Sequence, residues 1–407
     1  MTLFEELKAR GIIAQTSGDE EIADLVNGGR AVFYIGFDPS ADSLTVGHFV
    51  PLTLMKRLQQ TGNRPIVLVG GGTMMVGDPS GRTDMRSMMD SAQIAANVGR
   101  FRGQIGKFID FSEDKALFVN NADWLLPLNY MEFLREVGVH FSVNRMLTAE
   151  CYKNRLEKGL TFLEFNYMLM QSYDYLHLHR LHGCNLQCGG DDQWSNILSG
   201  ADLVRRKTGH TAHAMTMALL LTHDGKKMGK TAQGAIWLDQ ARTSPYDFYQ
   251  FFRNTHDNDV IPVMKRLTFL PLEQIDEYKG LSGSALNEAK GRLAFEMTAM
   301  VHGREEAEKA QEAARSLFEG SGLSADMPST AIAPEQLTEG ALRVVDALVV
   351  TGIAKSKGEA RRLVEQGGVE VNGQRVGGID ATLEPPWPQD GFVLRKGKKV
   401  YHRITVK

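Results

Sequence analysis

The sequence predicts an α/β protein: a mostly parallel sheet flanked by helices over residues 1–240, an all-α segment over 241–320, and a small α+β unit over 340–407. Three observations carry that reading. Through the first 240 residues short apolar runs alternate with amphipathic stretches, the pattern of strands that each lead into a covering helix. From Ser244 onward, helix-like periodicity continues without strand signals. A stretch rich in Ser, Ala, Pro and Thr, residues 321–339, reads as a linker, and beyond it Asn372-Gly373 is a strong hairpin signal.

Taken in order, AVFYIGFD from Ala31 is the first predicted strand, followed by a helix from about His48 to Gln60. PIVLVGGG from Pro65 is the second strand, ALFVNNADWL from Ala116 the third, CNLQCGG from Cys184 the fourth and MTMALLL from Met215 the fifth. Such a succession describes a Rossmann-like sheet. Between the third and fourth strands lies a helical insertion, about 129–180, that a plain doubly wound sheet does not need. SPYDFYQFFRN and EEAEKAQEAARSLFEG carry the all-α segment, and VEVNGQRV holds the C-terminal hairpin.

At 407 residues, 43% hydrophobic and 23% charged, the chain can bury a large core in two or more domains. Its opening, MTLFEELKARG, has neither a secretory apolar region nor the acid-poor character of a transit peptide, and no run of about 18 apolar residues suggests a membrane span. Three cysteines are too few for a disulfide framework and fit a reducing cytoplasm. His177, His179 and His182, just before Cys184 and Cys188, invite a metal reading. The alternation through CNLQC instead points both sulfurs to one strand face, where buried thiols are common, so no protein-held metal is expected.

The net charge of −3 decides nothing about nucleic acid, because basic residues can be segregated. They are. The final 17 residues hold six Lys or Arg, among them Arg395, Lys396, Lys398 and Lys399, and no Asp or Glu. Lys355, Lys357, Arg361 and Arg362 cluster around a predicted helix upstream. On a separate module behind a linker, this pattern favours a nucleic-acid contact over a merely solvated face.

Five motifs carry chemistry. In YIGFDPSADSLTVGH a strand ends at a turn and a helix begins, which places the turn at the rim where open α/β sheets bind ligands. There Gly47 leaves room for a flat base, His48 can offer a proton to a phosphate or ribose oxygen, and the helix start favours anions. DGKKMGKT sets Lys227 and Lys230 three residues apart in a glycine-containing loop, suited to clamping a triphosphate. VGGGTMMVGDPSGRTDMR is no Walker loop, since Asp78 stands where lysine is required; an acid suits an ammonium group better, while Arg82 and Arg86 beyond it could meet phosphates. Tyr167, Gln171 and Asp174 recur at i, i+4 and i+7 along one side of a helix and could wall an amino-acid pocket. LQCGGDDQW supplies Gln187, Asp192 and Gln193 at the end of the fourth strand.

Together, Tyr34, GFDPSADSLTVGH, GDPSGR, Tyr167 to Asp174, LQCGGDDQW and KMGKT resemble the tyrosyl-tRNA synthetase family in order and interval, over essentially the whole chain. TVGH stands at the class I HIGH signature and KMGKT at the KMSKS signature. The resemblance implies activation of tyrosine with ATP and magnesium, transfer to tRNA(Tyr), a cytoplasmic homodimer with the 129–180 insertion as its candidate interface, and a C-terminal RNA-binding domain. By residue, it implies that Tyr34 and Asp174 bond the substrate phenol and that Asp78, Tyr167 and Gln171 hold its ammonium group. Gln187 and Gln193 would line the pocket. Gly36, Asp38, Gly47, Gly190 and Asp192 would face the adenylate, with His48 at the ATP end. Lys227, Lys230 and Thr231 would close on pyrophosphate with Arg82 and Arg86. A tryptophan-type relative would share the sheet, but Tyr34 and Asp174 are suited to a hydroxyl.

One position departs from the signature: its first histidine is Thr45 here, a shorter neutral side chain. We predict that tyrosine activation runs with an altered dependence on ATP, so that Thr45→His shifts KM for ATP in a pyrophosphate-exchange assay; unchanged activation kinetics would contradict this.

Overall fold

The central strand explains the site. In the computed structural model, which describes residues 1–80, 89–157, 159–231, 234–283, 285–318, 328–333, 337, 340–388, 391–397 and 400–406, β2 (Val32–Phe37) runs through the middle of a six-stranded sheet. Its partners are β1 (Ile13–Thr16), β3 (Arg64–Val69), β4 (Leu117–Asn120), β5 (Leu186–Gly190) and β6 (His213–Met217), in the spatial order β1-β6-β5-β2-β3-β4. All neighbours are parallel except β1, which is antiparallel to β6. Strands β2 and β3 are almost wholly buried, as expected where helices cover both faces.

The chain leaves β2 towards β3 and β4 on one side and takes up β5 and β6 on the other, so the order switches between β2 and β5. At such a switch the connections diverge and a crevice opens beyond the strand ends. Register then decides what lines it: Tyr34 of β2 stands opposite Gln187 of β5 and Ile66 of β3. Facing residues on parallel neighbours project to the same side, so the phenol and the amide share one row.

Helix Phe49–Gln60 follows β2 with Pro51 in its first turn, the place where proline is tolerated. The third predicted strand is shorter than its apolar run. It stops at Asn120, because the side chains of Asn120 and Asn121 turn back to accept N–H groups of Gly71 and Gly72, at 3.1 and 2.8 Å, and a helical turn, Ala122–Leu125, replaces the rest. Strand β1 was not foreseen: IAQT is short, at the sheet edge and without apolar alternation.

Between β4 and β5 stand helices Tyr130–Glu136, Val143–Leu147, Glu150–Leu156, Phe162–Phe165 and Tyr167–His182. The last of these packs along helix Trp194–Thr208, where Gly200 admits the Tyr175 ring; a Cβ at Gly200 would come within 3.1 Å of it. Glu164 closes a capping box with Thr161 and is clamped by Arg155 through Nε at 3.0 Å and Nη2 at 3.1 Å, both side chains buried.

The described residues group into two compact units, Met1–Ser244 with Phe251–Met297, and Pro245–Gln250 with Thr298–Lys407. In the second, a five-stranded sheet has the order Gln374–Arg375, Val369–Val371, Phe392–Lys396, Val400–Val406, Ser329–Ile332. Helices Val344–Val350 and Lys357–Glu365 belong to the same core, with Leu348, Ala360, Val369, Leu394 and Ile404 buried. Asn372 and Gly373 both take positive φ, 49° and 79°, as a two-residue hairpin turn requires. Ser329–Ile332 lies within the stretch whose composition reads as a linker, yet adds a parallel edge strand beside Val400–Val406; pairing uses the main chain, so composition does not announce it. Among the described residues no helix is long and apolar enough to cross a membrane.

Candidate active site

A cavity of about 320 Å³ opens at the switch between β2 and β5. Its lining brings together residues from five separate stretches of sequence: Tyr34, Gly36 and Asp38 from β2 and its turn, Gly47 and His48, Asp78, Tyr167, Gln171 and Asp174 from one helix, and Gln187 and Gly190 of β5 with Asp192 and Gln193 just beyond it. Arg82 and Arg86 lie outside the described residues, as do the side chains of Lys230 and Thr231.

Its deep end is polar and underbonded. Asp174 is buried and accepts from Asn121 Nδ2 at 3.0 Å and Trp124 Nε1 at 2.7 Å. Burial pushes its carboxyl up to about 7, a rise that the two hydrogen bonds oppose and that Asp38 adds to. Tyr34, 1% exposed, has its phenol pushed well above the ordinary value, by burial first and then by the charge of Asp174. Its hydroxyl has no hydrogen-bond partner among the described residues, and the same holds for Gln171 Oε1 and Gln187 Oε1. An unpartnered buried polar atom costs about 1–3 kcal/mol. Three in one cavity, beside a carboxylate, mark a place shaped for a polar ligand.

Asp78 sits within a network that holds it in place. Its Oδ2 accepts from Gln193 Nε2 at 2.7 Å and its Oδ1 from the Ser80 N–H at 2.8 Å; Asn196 Nδ2 reaches Ser80 Oγ and Gln193 Oε1, each at 3.2 Å. Asp192 has its carboxyl raised, chiefly by burial; Lys227 opposes that rise and Asp78 adds to it. The exposed Lys227 is therefore close enough to act on the cavity electrostatically while standing outside its lining. A side chain at Gly190 would come within 2.6 Å of Asp192 Oδ1, and one at Gly70 within 2.8 Å of Asp38 Oδ1, so each carboxylate occupies space that only a glycine leaves.

At the other end His48 is half-buried, and its imidazole is lowered to about 4, by loss of water around the ring against the opposing effect of a hydrogen bond from Thr45. The ring is neutral at physiological pH. Its Nδ1 accepts the Thr45 N–H at 3.0 Å, so the proton sits on Nε2, which remains a donor for an oxygen in the cavity. Thr45 therefore positions the histidine through its main chain, with its Oγ1 at 3.2 Å from the same nitrogen, and does not line the cavity itself. Gly47 has open space where a side chain would be, apart from Thr45 Oγ1 at 3.6 Å.

Main-chain bonds join the two signature segments. Val46 N–H donates to Ile236 O at 3.0 Å, and Ile236 N–H to Gly229 O at 2.9 Å. Gly229 has φ +85°, and a Cβ there would lie 2.9 Å from Val46 Cβ. Only glycine fits this approach, so the KMGKT loop is held against the TVGH turn by its own central residue.

Sequence reasoning missed Asn121, Trp124 and Thr73, which support Asp174 from behind; Asn121 Nδ2 also donates to Thr73 Oγ1 at 3.0 Å. Asn121 and Trp124 fall within ALFVNNADWL, the run that reads as the third strand. The histidines near the cysteines have other partners: His177 stacks on Trp124 with centroids 4.4 Å apart, and His179 Nδ1 lies 2.8 Å from Cys184 O. Cys184 and Cys188 are buried, and burial raises both thiols far above the ordinary range.

In the C-terminal unit the basic residues divide into two groups. Lys357 pairs with Asp346 at 2.7 Å, Arg395 with Glu370 at 2.7 Å, and Lys396 reaches Ile353 O at 2.9 Å. Lys355, Arg361 and Arg362 are exposed, with side chains unpaired among the described residues. Lys398 and Lys399 fall outside the described residues.

Residues 27–319 match the family described as tRNA synthetases class I (W and Y), and residues 320–404 match the SYY-like C-terminal domain of tyrosine–tRNA ligase. The tyrosine–tRNA ligase of Acetivibrio thermocellus is 56% identical over 406 residues, covering 100% of this chain and 99% of that protein. The tyrosine–tRNA ligase of Clostridium tetani is 53% identical with the same coverage. Among solved structures, a C-terminally truncated mitochondrial tyrosyl-tRNA synthetase from Aspergillus nidulans superposes with a TM-score of 0.69 at 30% identity, over 78% of this chain and 94% of that one.

The state of Asp174 predicts a pH dependence of ligand binding. With its carboxyl at about 7 in the empty cavity, a ligand hydroxyl donating to it favours the ionised form, so binding a phenol expels a proton below that pH and none above. Tyrosine affinity should rise with pH, by up to about tenfold per unit below neutrality, and level off above it. Calorimetric titration in buffers of different ionisation enthalpy, at about pH 6 and about pH 8, checks this. Equal affinities with no proton release at the lower pH would contradict it.

Proposed function

The chain belongs to the class I tRNA synthetases of the W and Y type and has tyrosine–tRNA ligase activity with ATP as substrate, and from that premise we propose how its residues share the reaction. Tyrosine enters phenol first, its hydroxyl placed between Tyr34 and Asp174, where the unpartnered polar atoms are. Its ammonium group meets Asp78, Tyr167 and Gln171, and Gln187 and Gln193 complete the wall. Gly36, Asp38, Gly47, Gly190 and Asp192 receive the adenylate, with His48 Nε2–H donating to an ATP oxygen.

Attack of the tyrosine carboxylate on the α-phosphate forms the acyl–phosphate bond and releases pyrophosphate. Alignment and charge neutralisation achieve this without a protein nucleophile. Lys227, Lys230 and Thr231, with Arg82 and Arg86, take the developing charge of the leaving group; magnesium enters with ATP as part of that substrate. A tRNA(Tyr) hydroxyl then attacks the activated carbonyl and displaces AMP. Phenylalanine would fill the apolar volume and leave Tyr34 and Asp174 unsatisfied, a discrimination for which this enzyme family is itself the reference case.

The observation that carries this reading is the buried set of Tyr34 Oη, Gln171 Oε1 and Gln187 Oε1, all without partners among the described residues, beside Asp174. On the C-terminal unit, Lys355, Arg361 and Arg362 offer tRNA phosphates a free set of charges, while Lys357, Arg395 and Lys396 must first exchange their internal pairs. Lys398 and Lys399 extend the same basic strip in sequence. The enzyme works in the cytoplasm.

It works there as a homodimer. Leu126, Tyr130, Met131, Val139, Val143 and Phe162 are all 55–72% exposed, and all lie in or next to the 129–180 insertion. So many large apolar side chains left in water along one insertion favour a second copy of the chain as their cover.

Pyrophosphate exchange measured with tyrosine, phenylalanine and tryptophan should proceed with tyrosine alone; equal exchange with phenylalanine would refute the assignment of the pocket. Arg361→Glu with Arg362→Glu should leave that exchange intact while lowering tRNA charging at least about tenfold at low salt, with the gap to the parent narrowing as salt rises. Met131→Asp with Phe162→Asp should shift the protein from dimer to monomer in sedimentation at micromolar concentration, and a persistent dimer would place the interface elsewhere.

A further inference from the structure

Outside the cavity, the residues after β6 form a tight turn that begins the signature loop. Leu221 and Lys227 face each other across it, and Thr222 N–H donates to Lys226 O at 2.8 Å. His223 stands at its tip. Its Nδ1 lies 3.2 Å from Oδ2 of Asp259, and its ring stacks on that of His256 with centroids 3.7 Å apart and planes inclined by 17°. His256 caps helix Asp257–Leu267, on which Asp259 sits. Donor atoms of the three residues lie within 4.8 Å of one another, and no other such group of three occurs among the described residues.

We propose that His223, His256 and Asp259 form a binding site for a borderline divalent cation of the zinc type, which ties the signature turn to the helix Asp257–Leu267. Zinc holds imidazole and carboxylate ligands at about 2.0–2.2 Å, so the edges of its tetrahedron are about 3.3 Å. The His223–Asp259 separation is already one such edge, with a proton where the cation would sit. His256 contributes the second imidazole one stacking distance away, and both histidines are exposed, free to swing the remaining donor inward. His256 Nδ1 already presents a lone pair, to the Asn258 N–H in a long 3.3 Å bond, so a cation can claim it without a change of tautomer. On His223 the displaced proton leaves Nδ1 and the ring carries its hydrogen on Nε2 instead. Water completes the coordination.

The carboxylate supplies the driving force. Asp259 is 6% exposed, and among the described residues the only side chain bonded to it is His223. One imidazole hydrogen bond compensates a buried carboxylate poorly; a dication compensates it well. Neither histidine belongs to the pattern of signatures, and the three ligands are separated by 33 and 3 residues in sequence, too irregular to read as a metal motif.

The test uses the full-length protein freed of metal with a chelator. Zinc calorimetry and the visible spectrum of bound cobalt should show one equivalent taken up. Loss of outer-shell support alone weakens metal sites about 10–100-fold, so His223→Ala and His256→Ala should each weaken binding at least that much. His210→Ala, which removes the partner of His179 instead, should bind as the parent does. Zinc should also slow tryptic cleavage after Lys226 and Lys227 in the parent and not in His223→Ala. The proposal is overturned if the parent takes up no cation in the millimolar range, if the two histidine variants bind as tightly as the parent, or if cleavage is indifferent to zinc; in that event the two rings are a stacked surface pair and nothing more. None of these readouts depends on aminoacylation, so the result stands apart from the assignment of the active site.

Discussion

The pairing of β2 with β5 is the constraint on which the site depends. Because Tyr34 faces Gln187 across that pair, two polar side chains from segments some 150 residues apart in sequence point into the same crevice, and both are buried by the helices the sheet requires. A slip of one residue in either strand would turn its side chain to the other face and part the two. Helix Tyr167–His182 then brings Asp174 to the same cavity, and Asn121 and Trp124, displaced from the strand they nearly belong to, hold its two oxygens. The fold thereby maintains a set of polar groups that it does not satisfy internally.

A second set of constraints acts at the His48 end of the cavity. The segment around Val46 and the loop around Gly229 are joined through Ile236 by two main-chain hydrogen bonds. Such bonds are indifferent to side chains, but the approach is so close that position 229 excludes every residue with a Cβ. Thr45 has a comparable indirect role. Its N–H fixes the tautomer of His48, so the position matters for where the histidine's proton is, whatever its own side chain does. The same wiring relates the turn at His223 to the cavity: Leu219 and Leu220 line the one, and Leu221 opens the other.

Much of this was legible in the sequence, for reasons that are themselves physical. Strands β2, β3, β5 and β6 are buried on both faces and therefore appear as apolar runs. The stripe Tyr167, Gln171, Asp174 is visible because a helix repeats its faces every three to four residues. What stayed hidden depends on the main chain or on contacts distant in sequence. Strand β1 and Ser329–Ile332 are edge strands held by backbone pairing, with little apolar patterning. Asn121 and Trp124 became site residues only because Asp174, 53 and 50 positions away, needed donors. Composition also could not separate Arg361 and Arg362, which have no partner among the described residues, from Arg395 and Lys396, which are engaged by Glu370 and Glu359.

The cavity is best understood through what its polar lining costs the fold. A carboxyl raised to about 7 is a group that the folded protein holds against its solvation preference, at about 4 kcal/mol as an upper order of magnitude. Tyr34 Oη, Gln171 Oε1 and Gln187 Oε1 add to that cost. On the proposed placement, a substrate hydroxyl relieves the penalties at Asp174 and Tyr34 together, and a ring lacking it leaves both standing. Selectivity at this end therefore comes less from attraction to tyrosine than from a debt that a plain aromatic ring leaves standing, which is why the supporting donors, Asn121 and Trp124, matter as much as the residues that would touch the ligand.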